Sequence, residues 1–156
     1  MQLGPVEASM GFVSSHPAPA AAAEAPGASR PRVIVAEDDA EMRRLLASTL
    51  AAHGYEVTGV DSGPALLAVL RRFMNKNEGV AMVVSDVRMP GCSGLHVLRA
   101  LRAAGRAVPV ILITAFGDED VVDEGQRAGA ACVLSKPFDL EQLLAEVGRL
   151  APLGGR

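Results

Sequence analysis

Five side chains of this 156-residue sequence, Glu37, Asp38, Asp86, Thr114 and Lys136, each stand directly after a short apolar run. Together they are three carboxylates, a hydroxyl and an ammonium. Crowded carboxylates repel, at a cost on the order of 4 kcal/mol for two charges about 4 Å apart in a medium of effective dielectric near 20. A divalent cation removes that cost, and hard oxygen ligands with remaining waters suit Mg2+. Beside such a cation Asp86 can act as a nucleophile, its carboxylate attacking phosphorus to form an aspartyl-phosphate. The cation and the Lys136 ammonium would neutralise the transferring phosphoryl oxygens, and Thr114 would donate its hydroxyl to one of them. Taken singly, each residue has a plainer role. An acidic pair or an aspartate after a strand caps a turn or helix, threonine is ordinary strand composition, and lysine before proline is usually solvated. Only their convergence makes the chemistry.

The elements that would bring them together can be read along the chain. Val33–Ala36 is a short run apolar on both faces, as a central parallel strand requires. Met42, Leu45, Leu46 and Leu50 then recur at helical spacing, ending near His53-Gly54 with glycine at the left-handed cap position. Tyr55–Val60 is a second strand, and Asp61-Ser62 introduces a helix carrying Leu66, Leu67, Val69 and Leu70. After a polar loop over 75–79, Val80–Ser85 is a third strand ending on Asp86, and a helix bears Leu95, Val97, Leu98 and Leu101. Pro109 opens a fourth strand, Val110–Ile113, ending on Thr114. Asp118–Ala128 is a helix closed by Gly129. Ala131–Ser135 is a fifth strand ending on Lys136-Pro137, and Asp139 N-caps a last helix through Leu150. Strand and helix alternate five times, which implies an α/β fold with a parallel sheet covered on both faces. In such a sheet the carboxyl ends of the strands share one edge, where ligands bind.

Residues 1–31 are rich in Ala, Pro, Ser and Gly, with prolines at 5, 17, 19, 26 and 31, and are expected to form a disordered tail. One domain is expected over 32–150, followed by a short tail over 151–156 that begins no output domain. Net charge is −3, with basic residues scattered among acidic ones, so there is no footprint for direct nucleic-acid binding. No apolar run is long enough to span a membrane, and the interrupted Ala-rich stretch near the N-terminus has no basic flank, which argues against a secretory leader. Cys92 and Cys132 lack metal-ligand spacing and are expected as free thiols in a reducing, cytoplasmic setting; the histidines at 16, 53 and 96 lie far apart. His53, near a helix C-terminus, and His96, early on a helix, are expected to be structural or solvated.

Four blocks, VIVAEDD (33–39), SDVRMPGCSG (85–94), ITAFGD (113–118) and LSKPF (134–138), resemble the signature blocks of the response-regulator receiver family, and the resemblance runs over 32–150. It implies a flavodoxin-like doubly wound fold of five strands in the order 2-1-3-4-5. It implies that Asp38 ligates Mg2+ directly and Glu37 through water, and that Asp86 is the phosphoacceptor and a metal ligand. It further implies that Arg88 lends its backbone carbonyl to the metal. Thr114 and Lys136 match the switch hydroxyl and the phosphate-binding lysine, and the Lys136-Pro137 bond is cis in the family. Where the family usually has Tyr or Phe three residues before the lysine, this chain has Val133, a departure from the family's aromatic rotamer switch that leaves movement of Thr114 and its loop as the expected route. In the family the residues two beyond the phosphoacceptor and the switch hydroxyl flank the path of hydrolytic water; here they are Arg88 and Phe116, both bulky, which the resemblance implies would shield the phosphoryl group.

The function implied is that of a phosphorylation-dependent switch, taking a phosphoryl group from a sensor histidine kinase and signalling through its surface to a downstream protein target. It would do so as a monomer or a phosphorylation-dependent dimer. One alternative is a phosphorelay intermediate that passes the group to a histidine phosphotransfer protein. Another, from the enzyme class, is a Mg2+-dependent phosphatase working through an aspartyl-phosphate. Such an enzyme would want a second aspartate two residues after Asp86, where this chain has Arg88; self-phosphorylation and self-dephosphorylation are therefore incidental to signalling.

Overall fold

Every apolar run becomes a strand and every helical spacing a helix in the computed structural model, which describes residues 29–115 and 117–154. The strands are β1 (Arg32–Ala36), β2 (Glu56–Val60), β3 (Met82–Asp86), β4 (Val110–Thr114) and β5 (Cys132–Ser135). The helices between and after them are α1 (Ala40–Ala52), α2 (Gly63–Asn75), α3 (Gly94–Ala103), α4 (Glu119–Ala128) and α5 (Leu140–Leu150). All neighbouring strands are parallel, in the order β2-β1-β3-β4-β5. The fold is thus the doubly wound one expected. Most of the segment read as an N-terminal tail, and Phe116, lie outside the described residues.

The sheet has a core on each face because its central strands are apolar at both odd and even positions. Val33, Val35, Met82, Val84, Ile111 and Ile113 pack with Leu46 and Leu50 of α1 and Leu143 and Val147 of α5. Their neighbours Ile34, Val83, Val110 and Leu112 face the other way, onto Leu66 and Leu70 of α2 and Leu95, Leu98 and Leu101 of α3. A period of two, apolar on both sides, is what a strand sandwiched between helices needs.

Details at the element ends depart from the sequence expectation. The third strand starts at Met82 and not at Val80, because Val33 of β1 pairs with Met82 and the shared ladder begins there. The second helix runs one residue into the stretch read as loop, to Asn75. Asp139 stands at the N-cap of α5 with extended backbone, yet its side chain makes no capping bond. Gly54 and Gly129 do take the left-handed conformation, at φ 105° and 101°.

Ala151, assigned to the tail from sequence, is buried, and the Tyr55 hydroxyl donates to its carbonyl at 2.8 Å. This bond ties the exit of α5 to the entry of β2. Tyr55→Phe keeps the ring but leaves that buried carbonyl unpaired, so we expect a loss of about 1–3 kcal/mol. The measurement is urea unfolding, with a lower midpoint and an unchanged slope.

Candidate functional site

The polar residues at the ends of β3 and β4 and directly after β1 and β5 meet at the carboxyl edge of the sheet. Glu37 follows β1, and its N–H donates to the Val60 carbonyl at 3.0 Å, which fixes the loop to the end of β2. Arg43 of α1 reaches back to the same loop, its Nη1 donating to the Glu37 carbonyl at 2.8 Å. Asp39 caps α1, accepting from the N–H groups of Glu41 and Met42. Its N–H donates to Glu37 Oε2 at 3.1 Å, while its carboxylate caps the helix and is not one of the three grouped with Glu37, in keeping with its place one residue beyond the acidic pair.

Carboxylate oxygens of Glu37, Asp38 and Asp86 lie within 4.8 Å of one another, with Glu37 and Asp86 buried and Asp38 exposed. Lys136 approaches from the end of β5, its Nζ 3.5 Å from Glu37 Oε1 and 3.6 Å from Asp86 Oδ2. The Lys136–Pro137 peptide is cis. Thr114 is 1% exposed at the end of β4, and its backbone carbonyl accepts from the Lys136 N–H at 2.8 Å. All five residues singled out from the sequence are therefore placed around one edge.

The electrostatics of the cluster are those of a charge-poor pocket. Glu37 is only 1% exposed, and burial raises its carboxyl from the usual 4.5 to about 7; the Asp86 charge also raises it, while the Asp39 N–H and Lys136 pull the other way. Burial likewise raises Asp86, with the Asp38 charge adding to it and Lys136 opposing it. One oxygen, Glu37 Oε1, is buried with no hydrogen bond. Lys136 is near enough to attract it, but its ammonium is not aimed as a donor. A buried carboxylate oxygen without a partner is costly. An oxygen-coordinated cation is the kind of partner this donor set lacks, and three carboxylates with a solvent-open side fit Mg2+, which keeps several of its waters.

Asp86 is shaped by its neighbours in the chain. Its backbone carbonyl accepts from Ser85 Oγ at 2.8 Å, and the next N–H, that of Val87, donates to the Ile113 carbonyl. Gly94 opens α3 against this segment. A Cβ there would lie 2.4 Å from the Asp86 carbonyl oxygen and 2.6 Å from Ser85 Oγ, so only glycine lets the helix start this close to the strand end. The sequence marked Gly94 merely as loop chemistry.

The remaining candidates divide. Arg88 turns its side chain outward, 71% exposed, and pairs with Asp118 at 2.9 Å. Val133 is half-buried against the core on the α2–α3–α4 face. Asp118, read from sequence only as the start of a helix, accepts from Thr114 Oγ1 at 3.2 Å. Its one signal in the sequence was its place at the end of the ITAFGD block. Cys92 and Cys132 are free thiols, and His53 hydrogen-bonds the Thr49 carbonyl of its own helix. No helix among the described residues is long and apolar enough to cross a membrane.

Comparison with known proteins gives this geometry a context. The family model described as the response regulator receiver domain matches residues 33–148. The chain is 42% identical to the response regulator protein FleR of Pseudomonas aeruginosa over 77% of its own length and 24% of that protein's. It is 38% identical to the transcriptional regulatory protein FixJ of Azorhizobium caulinodans, over 78% of its own length and 57% of that protein's. The chain thus spans between a quarter and a little over half of these relatives. Among solved structures, FixJ-N superposes with TM-score 0.69 at 30% identity, covering 80% of this chain and 95% of that one. The receiver domain of a Francisella response regulator superposes with TM-score 0.69 at 27% identity, covering 78% and 97%.

Proposed function

Because the chain belongs to the response regulator receiver domain family, we propose that Asp86 is its phosphoacceptor and that the phosphorylated form is the signal. The observation that supports this most is the cluster itself: three carboxylates within 4.8 Å of one another, with the Lys136 ammonium against two of them. Family membership implies a histidine kinase or phosphotransfer protein as partner; the finer proposal is a sensor histidine kinase upstream and a protein target downstream. The receiver domain is proposed to occupy 32–150, with tails on either side.

Each residue then has a task. Glu37, Asp38, Asp86 and the Arg88 backbone carbonyl would hold Mg2+. When bound, the cation supplies charge neutralisation for the phosphoryl oxygens. Lys136 adds positive charge beside Asp86, from which an in-line donor would be attacked. Burial of Asp86 excludes competing water from the carboxylate, and Thr114 donates its hydroxyl to a phosphoryl oxygen. By their positions two residues beyond Asp86 and Thr114, Arg88 and Phe116 are proposed, on the family resemblance, to tune the lifetime of the acyl phosphate. Val133 leaves the chain without an aromatic side chain to swing inward.

Acetyl phosphate with millimolar Mg2+ tests the proposal. Intact-mass measurement should show one added phosphoryl group, removed by hydroxylamine as acyl phosphates are, and none when EDTA replaces Mg2+. A wild-type chain that stays unmodified, or one modified equally in EDTA, would rule the proposal out.

A further inference from the structure

Thr114 carries the hydroxyl that should meet the phosphoryl group, yet its partner here is Asp118, whose Oδ2 accepts from Thr114 Oγ1 at 3.2 Å. The same oxygen accepts from Arg88 Nη2 at 2.9 Å. Asp118 holds the N-cap position of α4 but does not cap it: its φ and ψ are −87° and 59°, and its side chain bonds no N–H of the helix. Ser62 and Ser93, at the equivalent places on α2 and α3, have extended backbone and accept from the N–H groups of Ala65 and His96. The first-turn N–H groups of a helix have no intrahelical acceptor. The Asp118 carboxylate is thus held by Thr114 and Arg88 and by no N–H of its own helix.

The helix that begins at this carboxylate is also the one least anchored. In α4 only Gly125 is fully buried, whereas α1, α2, α3 and α5 each bury at least two large apolar side chains. Gly117, at φ 86°, stands just before Asp118. Few buried contacts make an element easy to displace.

Building on the phosphoacceptor reading of Asp86, we infer that Asp118 is a positioning residue for Thr114: its carboxylate holds the hydroxyl in the unphosphorylated protein, and a phosphoryl group on Asp86 must draw the hydroxyl away from it. Once Thr114 turns, Asp118 keeps only Arg88 as a side-chain partner, and its carboxylate is released at the start of α4. The exchange carries the state of Asp86 to the start of α4 through a hydroxyl and a carboxylate alone. It needs no aromatic side chain, which suits a chain with Val133 three residues before Lys136.

Beryllofluoride with Mg2+ is the probe, a tetrahedral stand-in for phosphoryl, with affinity measured by calorimetry on the full chain. Variants at Asp118 are compared with Thr114 intact and in a Thr114→Val background. A latch makes the competent state a minority, so removing it raises apparent affinity by the ratio of competent fractions. Asp118→Ala should bind about five- to tenfold more tightly than wild type. Asp118→Ser should do the same while offering α4 a serine cap like those of α2 and α3, which covers the case in which the alanine variant fails to fold. Asp118→Asn loses the charge but keeps a carbonyl acceptor for Thr114, and should stay within about twofold of wild type. In the Thr114→Val background the gain should vanish. Equal affinities throughout, or a gain that persists without the hydroxyl and so reflects only lost negative charge, would overturn the inference. Failure of the wild-type chain to bind beryllofluoride would instead overturn the assignment of Asp86.

Discussion

Asp86→Asn is expected to take up no phosphoryl group from acetyl phosphate, against one for the wild-type chain, a drop of at least a thousandfold in rate, or about 4 kcal/mol of barrier. The substitution keeps the shape of a buried residue, 7% exposed, at the end of a central strand, but it removes the anionic oxygen that attacks phosphorus. Lys136 remains close to Glu37, so its place is not lost with its second partner. The variant should also be more stable than wild type when no metal is present. Burial, with the charge of Asp38 behind it, disfavours the ionised form of Asp86 by more than Lys136 favours it, and a neutral amide escapes that cost. Two measurements therefore move in opposite directions, with labelling lost and the metal-free melting temperature raised. Labelling at the wild-type level would move the nucleophile elsewhere, with Asp38 the next candidate; a lower melting temperature would mean that Asp86 is held mainly by Lys136.

How much of this was legible in the sequence follows from burial. β1, β3 and β4 are covered on both faces, so their buried positions are apolar up to the strand end, Ser85 excepted, and the polar or charged residue closing each run marked that end. That is why Glu37, Asp86 and Thr114 stood out. β2 lies at the sheet edge and is partly exposed; its place was legible only from the alternation of elements around it. What the sequence concealed is direction. An aspartate before a helix reads as a cap, and Asp39 is one, whereas Asp118 turns away to Thr114 and Arg88 through a choice of backbone angle that no residue type announces. Gly94 is similar, since the approach of the Asp86 carbonyl that demands glycine involves a strand eight residues earlier in the chain. The burial of Glu37 also ran against type. An acidic residue after a strand is ordinarily solvated, and here the loop held by Val60 and Arg43 takes it out of water.

That burial leads to the expectation that pH and Mg2+ trade places as the source of stability. Glu37 titrates near 7 in the folded protein against a usual 4.5, so between those values the folded chain binds a proton that the unfolded chain has released. Stability from this group is fully present below about pH 4.5 and is lost as pH rises through about 7, by on the order of 3 kcal/mol at 1.36 kcal/mol for each tenfold in proton affinity. Asp86 is shifted in the same direction and adds to the slope. Mg2+ requires the ionised carboxylates, so its binding must displace the proton at low pH and meets no such competition at high pH. Metal at a hundred times its dissociation constant contributes about 2.7 kcal/mol, and that contribution should be nearly complete at pH 8 and small at pH 5.5. Thermal melts at the two pH values, with and without Mg2+, give the four numbers needed. Glu37→Gln should flatten the metal-free slope, since its amide has no proton to lose, and Asp38→Ala should weaken the response to metal while leaving most of the slope. Equal metal-induced shifts at pH 5.5 and pH 8 would mean that proton and cation do not compete for these carboxylates. A slope that survives in both Glu37→Gln and Asp86→Asn would place the titrating group outside the cluster.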